Sequence, residues 1–145
     1  MGSLTPWQVK EHSGDLRISA YGCDNWEALA HASYALVAQI FESAPPNERE
    51  LRTISVTGDD ESARFIAFLN ELIFLIDARS WVPVRIKRLT TCAKSGCDRL
   101  EAVISGEPLD PSIHKMKYDV KAVTYHDFQI IVEENVVVIN FICDL

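Results

Sequence analysis

The sequence predicts an α+β fold: two helices packed on one face of a largely antiparallel β-sheet, in the order β-α-β-α-β-β-β-β. Three observations predict it. Two stretches, one after Asp24 and one after Gly58, repeat apolar residues at helical spacing. The stretch between them, Leu51 to Thr57, alternates with a period of two. Everything after Ser80 is β-rich and broken by turn-like stretches, so helices and strands segregate rather than alternate to the end. The 145 residues suit one domain with one core, taken as 1–145.

The elements follow in order. Val9 to Tyr21 reads as extended, with Leu16, Ile18 and Ala20 on one face and a bend available at Ser13-Gly14. Asp24-Asn25-Trp26-Glu27 opens the first helix. An aspartate there accepts a free backbone N–H, and a glutamate three residues on reaches back. Trp26, Leu29, Ser33, Leu36, Val37 and Ile40 form its apolar stripe, and Ser43-Ala44-Pro45-Pro46-Asn47 ends it, because proline supplies no N–H. In the next strand Arg52, Ile54 and Val56 share one face, opposite Leu51, Thr53, Ser55 and Thr57. Gly58-Asp59-Asp60 starts the second helix, in which Phe65, Ile66, Phe68, Leu69, Leu72, Ile73, Leu75 and Ile76 cover more than half the circumference. Such a helix is mostly buried. Val82 to Ala93 and Leu100 to Glu107 flank a turn at 94–98; Leu109 to Asp119 is a loop. Val120 to Val132 and Val136 to Cys143 join at Glu133-Glu134-Asn135, and the apolar Val136 to Ile139 run suits a strand covered on both sides.

Composition narrows the function classes. A net charge of −7, with basic residues scattered and the densest run at Arg85-Ile86-Lys87-Arg88 in a strand, disfavours strong direct nucleic-acid binding beyond a local patch. No apolar run is long enough to span a membrane, and the first residues lack a signal-peptide pattern. The four cysteines, Cys23, Cys92, Cys97 and Cys143, are then expected as reduced thiols in a cytoplasmic protein. Cys92 and Cys97 lack the paired spacing of a zinc ribbon, and a disulfide between them is equally disfavoured.

No glycine-rich phosphate loop, G-x-S-x-G or H-E-x-x-H occurs. Of the histidines, His31 reads as a surface or packing residue and His126 as a hydrogen-bonded residue on a strand. Two aspartates stand out: Asp15 at the bend of the first extended segment, and the penultimate Asp144, at the end of a strand that reads as central and beside the carboxylate of Leu145. Aspartates at strand ends commonly just face water. If these oxygens converge, they form a hard, all-oxygen site suited to calcium, magnesium or manganese.

At this point the motifs resemble a known family. Glu11-His12-Ser13-Gly14-Asp15 resembles the E-H-T-A-D motif of the archeases, Lys121-Ala122-Val123-Thr124-Tyr125-His126 their K-A-(I/V)-T-Y-H, and Cys143-Asp144-Leu145 their V-D-(I/L) terminus. Phe74 to Ala78 resembles the family's helix exit, and Gly106-Glu107, Asp110 and His114 its G-E…D…H loop. The resemblance runs in register over nearly the whole chain, with K-A-V-T-Y-H its most specific piece. It implies a non-enzymatic activator of an RtcB-type tRNA-splicing ligase, promoting the ligase–guanylate intermediate and multiple turnover. It also implies a divalent metal, calcium first and magnesium or manganese as alternatives, held by Asp15, Asp144 and Leu145. His12, Lys121 and His126 are expected as supporting or partner-contacting residues. Ser13-Gly14 departs from Thr-Ala and loosens the backbone before Asp15; no departure removes a ligand.

Two other classes compete. A small metal-dependent hydrolase or nucleotide-processing enzyme would use Asp15, Asp144 and His126, the last as general base. A general chaperone would use Trp7, Trp26 and Trp81 as an apolar contact patch, although tryptophans more often pack. On strand parity, Lys121, Val123 and Tyr125 face one way and Ala122, Thr124 and His126 the other, so the motif cannot act as one surface. His126 is expected near the site and Tyr125 to be structural.

Overall fold

The computed structural model describes residues 6–42, 47–91, 96 and 98–145. Within them the order is β1 (Trp7–His12), β2 (Asp15–Gly22), α1 (Asn25–Ile40), β3 (Glu50–Thr57), α2 (Glu61–Arg79), β4 (Trp81–Thr91), β5 (Arg99–Pro108), β6 (Ala122–Val123), β7 (Gln129–Glu133) and β8 (Val136–Asp144). The α+β class holds, with two refinements. The strands form two antiparallel sheets: a five-stranded one in the order β1-β2-β8-β6, with β7 also on β8, and a three-stranded one in the order β3-β5-β4. Two predicted strands are each split. Ser13-Gly14 turns the first extended segment into a hairpin, and a turn at 125–127 divides 120–132 into β6 and β7, with Asp127 at φ 56°.

Local chemistry starts the helices as the sequence predicts. Asp24 Oδ1 accepts the Glu27 N–H at 2.8 Å, and Asp60 Oδ1 does the same for Ala63 at 2.8 Å. Glu27 reaches one residue beyond the expected partner and accepts the Cys23 N–H at 2.9 Å. The buried residues of α2 are the predicted apolar set. On α1 the buried stripe is wider than its large residues: Ala28, Ala32 and Ala35 are fully buried, while Trp26 and Val37 are only partly covered. Small side chains let α1 lie close on the sheet, and Ser33 satisfies its buried hydroxyl on the Leu29 carbonyl at 2.8 Å.

Each helix touches both sheets. α1 packs on β2 and β8 of the larger and β4 of the smaller; α2 packs on β3, β4 and β5 of the smaller and β6 of the larger. Their facing residues, Leu16, Ile18 and Ala20 of β2, Ile139 and Phe141 of β8, and Ile54 and Ile104 of the second sheet among them, belong to one hydrophobic core. Trp81 is buried in it and donates to Glu50 at 2.9 Å; Trp7 and Trp26 pack against its margin. The tryptophans therefore serve packing.

The loop predicted over 109–119 runs on to 121, because β6 starts only at Ala122, and it is tied back by a bridge between Phe41 and Met116. No helix of the described residues is long and apolar enough to cross a membrane. Cys92, Cys97 and the predicted helix stop at Ser43 to Pro46 lie outside the described residues. Cys23 and Cys143 are free thiols.

Candidate metal centre

The outer face of the five-stranded sheet, opposite the helices, is organised by register. β2 pairs antiparallel with β1 on one side and with β8 on the other, so residues standing opposite one another share a face. His12 stands opposite Asp15, Asp15 opposite Asp144, and Asp144 opposite Ala122. The hairpin thus brings His12, Asp15 and Asp144 into one row at the end of the sheet. Directly opposed residues of an antiparallel pair have Cβ atoms about 4.5–5.5 Å apart, so the two carboxylates project side by side.

The turn that makes this row also holds the chain end. Gly14 takes φ 82°, a conformation glycine adopts without the steric cost a Cβ imposes. Its carbonyl accepts the Leu145 N–H at 3.3 Å, and the Asp144 carbonyl accepts the Lys121 N–H at 2.8 Å. Leu145 packs partly against the core. The Ser13-Gly14 turn, Asp15, Asp144 and Leu145 are therefore one local assembly, backed by the start of the Lys121–His126 motif.

The charge arrangement is unusual in one respect. Asp15 is only 21% exposed, and its Oδ1 is buried without a hydrogen-bond partner. Two nitrogens approach it, His12 Nδ1 and the guanidinium Nε of Arg17, each at 3.8 Å, beyond hydrogen-bond reach. A carboxylate oxygen taken from water without a partner is costly. A like charge directly opposite, on Asp144, raises that cost. A hard cation bound between the two oxygen groups removes both penalties, so the donor set fits calcium, magnesium or manganese.

Cys143, on the opposite face of β8, is no soft ligand. Burial, followed by the negative charges of Asp144 and Asp15, pushes its thiol up to about 12, so it stays protonated. Among the described residues no group of three or more His, Cys, Asp or Glu side chains is arranged to hold a metal.

Of the supporting residues, His12 is in the row. Lys121 is exposed and touches the site through its backbone. His126 is 77% exposed, lies in the turn rather than on a strand, and pairs with Asp127 at 3.3 Å. Tyr125, expected as structural, is 70% exposed. Tyr125 departs from its expected structural role and His126 from its expected strand, because the strand stops at Val123 and the alternation rule stops with it. Two features were not read from sequence: the cation neighbour Arg17, and Thr124, whose buried Oγ1 also lacks a partner. Arg17 could have been found, since it lies two residues beyond Asp15 on the same strand face.

Gly14→Ala tests the turn. No atom lies within 4 Å of a Cβ built there, so backbone strain alone is expressed. The expected cost is about 1–2 kcal/mol, read as a lower urea midpoint, with weaker divalent-ion binding because Asp15 and Leu145 both hang on this turn.

A helix-backed α+β domain with an acidic row at one end of its larger sheet is thus the class of protein the fold and site define. The sequence profile of the Archease protein family (MTH1598/TM1083) matches residues 7–145. The chain belongs to the archease family. It is 34% identical over 128 residues to the protein archease of Pyrococcus abyssi, covering 86% of this chain and 87% of that one. It is 32% identical over 127 residues to that of Thermococcus kodakarensis, covering 88% and 89%. The fold is that of protein 1598 of Methanobacterium thermoautotrophicum, at a TM-score of 0.80 with 24% identity, covering 97% and 99% of the two chains. An archease of Thermotoga maritima, described as a possible chaperone, shares it at a TM-score of 0.65 with 20% identity, covering 100% and 99%.

Proposed function

We propose that this protein is a non-enzymatic accessory factor that activates an RtcB-type tRNA-splicing RNA ligase, promoting its guanylylation and multiple turnover. In this reading Asp15, Asp144 and the carboxylate of a chain ending at Leu145 hold a divalent cation, calcium first, with magnesium or manganese as alternatives. The observation that carries the metal is a buried Asp15 Oδ1 without a hydrogen-bond partner, on a residue that stands opposite Asp144 in the β2–β8 register. Family membership carries the accessory role.

The bound ion would supply concentrated positive charge for oxygen ligands of the partner's active site. The chain's own residues do the positioning. The Gly14 turn sets the Asp15 carboxylate, the β2–β8 register sets Asp144 beside it, and Arg17 limits the negative charge around the row, with His12 flanking it. The net charge of −7 suits a protein that engages a ligase rather than RNA phosphates.

A general chaperone reading has weaker support. The exposed large apolar residues Leu51, Phe74, Ile113, Met116, Tyr125 and Val132 are spread over β3, α2, the 109–121 segment, the turn after β6, and β7.

The test is a multiple-turnover ligation assay with the partner ligase. Wild type and an N-terminally tagged form stimulate turnover; Asp15→Ala, Asp144→Ala and a form extended beyond Leu145 do not. Full stimulation by both alanine variants would reject the metal role, and equal activity of the two tagged forms would reject coordination by Leu145.

A further inference from the structure

Beyond the acidic row, the same sheet face carries two further rows set by the same register. In the second, Lys10 of β1 stands directly opposite Arg17 of β2, which stands opposite Ile142 of β8. In the third, Gln8, Ser19, Asn140 and Gln129 follow across β1, β2, β8 and β7. These residues line a cleft of about 360 Å³ on the open side of the sheet.

The second row is electrostatically incomplete. Like charges directly opposite each other across an antiparallel pair destabilise it. Among the described residues, Arg17 has only the 3.8 Å approach to Asp15, and no carboxylate pairs with Lys10. In a chain of net charge −7, two opposed cations lining a cleft call for an anion; Asp127, the carboxylate at the cleft's margin, faces His126 Nε2 at 3.3 Å and pairs with neither cation. The third row has the chemistry of a hydrogen-bonding floor. Ser19 donates to Asn140 Oδ1 at 2.6 Å, and Asn140 Nδ2 donates to Gln129 Oε1 at 3.4 Å. Gln8 Oε1 accepts from the Tyr21 hydroxyl at 3.3 Å, so the amide NH2 donors of Gln129 and Gln8 are left to meet a polar ligand.

We propose that this face is a binding site for a nucleoside triphosphate carrying its divalent ion. The phosphate chain lies on Lys10 and Arg17, and the sugar or base lies over Ser19, Asn140 and Gln129. Two residues along a strand advance about 6.6 Å, so the three rows span about 13 Å, and the order along them is metal-holding carboxylates, cations, then neutral donors and acceptors. A metal-bound triphosphate presents its groups in that order. A single cation pair beside two carboxylates favours a compact mononucleotide over an RNA strand, whose successive phosphates need a continued basic track. The part played by the divalent ion rests on the metal reading above; the Lys10–Arg17 cleft does not.

The test is calorimetric titration of the full chain with ATP and GTP, each with magnesium or with EDTA, alongside inorganic triphosphate and a single-stranded RNA oligonucleotide. Calcium is titrated separately, without nucleotide. Saturable binding of a magnesium nucleotide is expected, weakened at least tenfold by Lys10→Glu and several-fold by Asn140→Ala, while calcium binding by both variants stays at the wild-type level. Weaker binding of inorganic triphosphate than of the nucleotide supports the third row. Absence of nucleotide binding by protein that binds calcium would overturn the proposal, as would indifference to Lys10→Glu. RNA binding that is tighter than mononucleotide binding and equally sensitive to Lys10→Glu would reassign the cleft to RNA and overturn it too. Nucleotide binding that persists in EDTA and stays sensitive to Lys10→Glu, in protein that fails to bind calcium, would uphold the cleft and remove the metal reading alone.

Discussion

Asp144→Asn and Asp15→Asn are expected to reverse the order of stability between calcium-free and calcium-saturated protein. Without the ion, Asp15 and Asp144 are like charges directly opposed across β2 and β8, and one oxygen of Asp15 is buried without a partner. Neutralising either removes a repulsion of about 0.2–1 kcal/mol, so each variant melts no lower than wild type in EDTA. With calcium the balance inverts. Binding at a hundredfold excess over Kd adds about 2.7 kcal/mol to a protein that binds only when folded. For a chain of this size that is a rise of roughly 5–10 °C in the wild-type midpoint. The variants gain little, because an amide replaces a carboxylate in a site whose cation prefers anionic oxygen. Loss of an outer partner of a metal ligand already costs about 10–100-fold in affinity, and loss of a ligand costs at least as much. Thermal melts and calcium calorimetry on the three proteins read both halves. If wild type shows no midpoint shift in calcium, magnesium or manganese, the carboxylate row holds no ion.

The second large effect lies away from the row, at a buried pair. Glu107 near the end of β5 and His114 in the 109–121 segment are almost wholly buried, with His114 Nε2 and Glu107 Oε2 3.2 Å apart. The Asp110 N–H donates to His114 Nδ1 at 2.9 Å, which places a proton on Nε2, toward Glu107. Neither facing atom has a well-aligned hydrogen bond, so the contact is mainly electrostatic. The ring also packs beside Phe41, with centroids 5.9 Å apart, where α1 ends and the segment is tied back through Met116. His114→Ala leaves the buried Glu107 side chain without its polar neighbour. The expected loss is about 1–3 kcal/mol, a drop of roughly 3–10 °C in the midpoint. Glu107→Leu combined with His114→Leu is expected to cost less than His114→Ala alone, because replacing both facing groups strands neither of them. Urea denaturation of the singles and the double decides this, and single losses below about 1 kcal/mol would show that the pair is not coupled.

The sequence legibly encoded what depends on neighbours a few positions away. The eight buried residues of α2 repeat at its helical period. Asp24 and Asp60 cap because each can reach an N–H three residues on. Ile54 and Val56 are buried while Leu51 is not, as alternation requires. Motif resemblance carried the family, and with it the pairing of Asp15 with Asp144 as an expectation.

The tertiary structure alone decided what depends on register and on how surfaces meet. Periodicity counts strands but does not assign them to sheets. The turn at 125–127 halts a run that alternates well on paper, so His126 and Tyr125 point into solvent rather than along a strand. The alanines of α1 are buried because the sheet comes close, which no apolar scale applied to the helix reveals. Ser19 and Asn140, bonded across 121 residues of sequence, share a row only because β2 and β8 pair in one register out of several that their alternation allows. Local pattern therefore determined which residues are polar and on which side of each strand they stand. Pairing across the sheet decided which of them meet, because that choice is made by the core packing beneath the strands and not within any one of them.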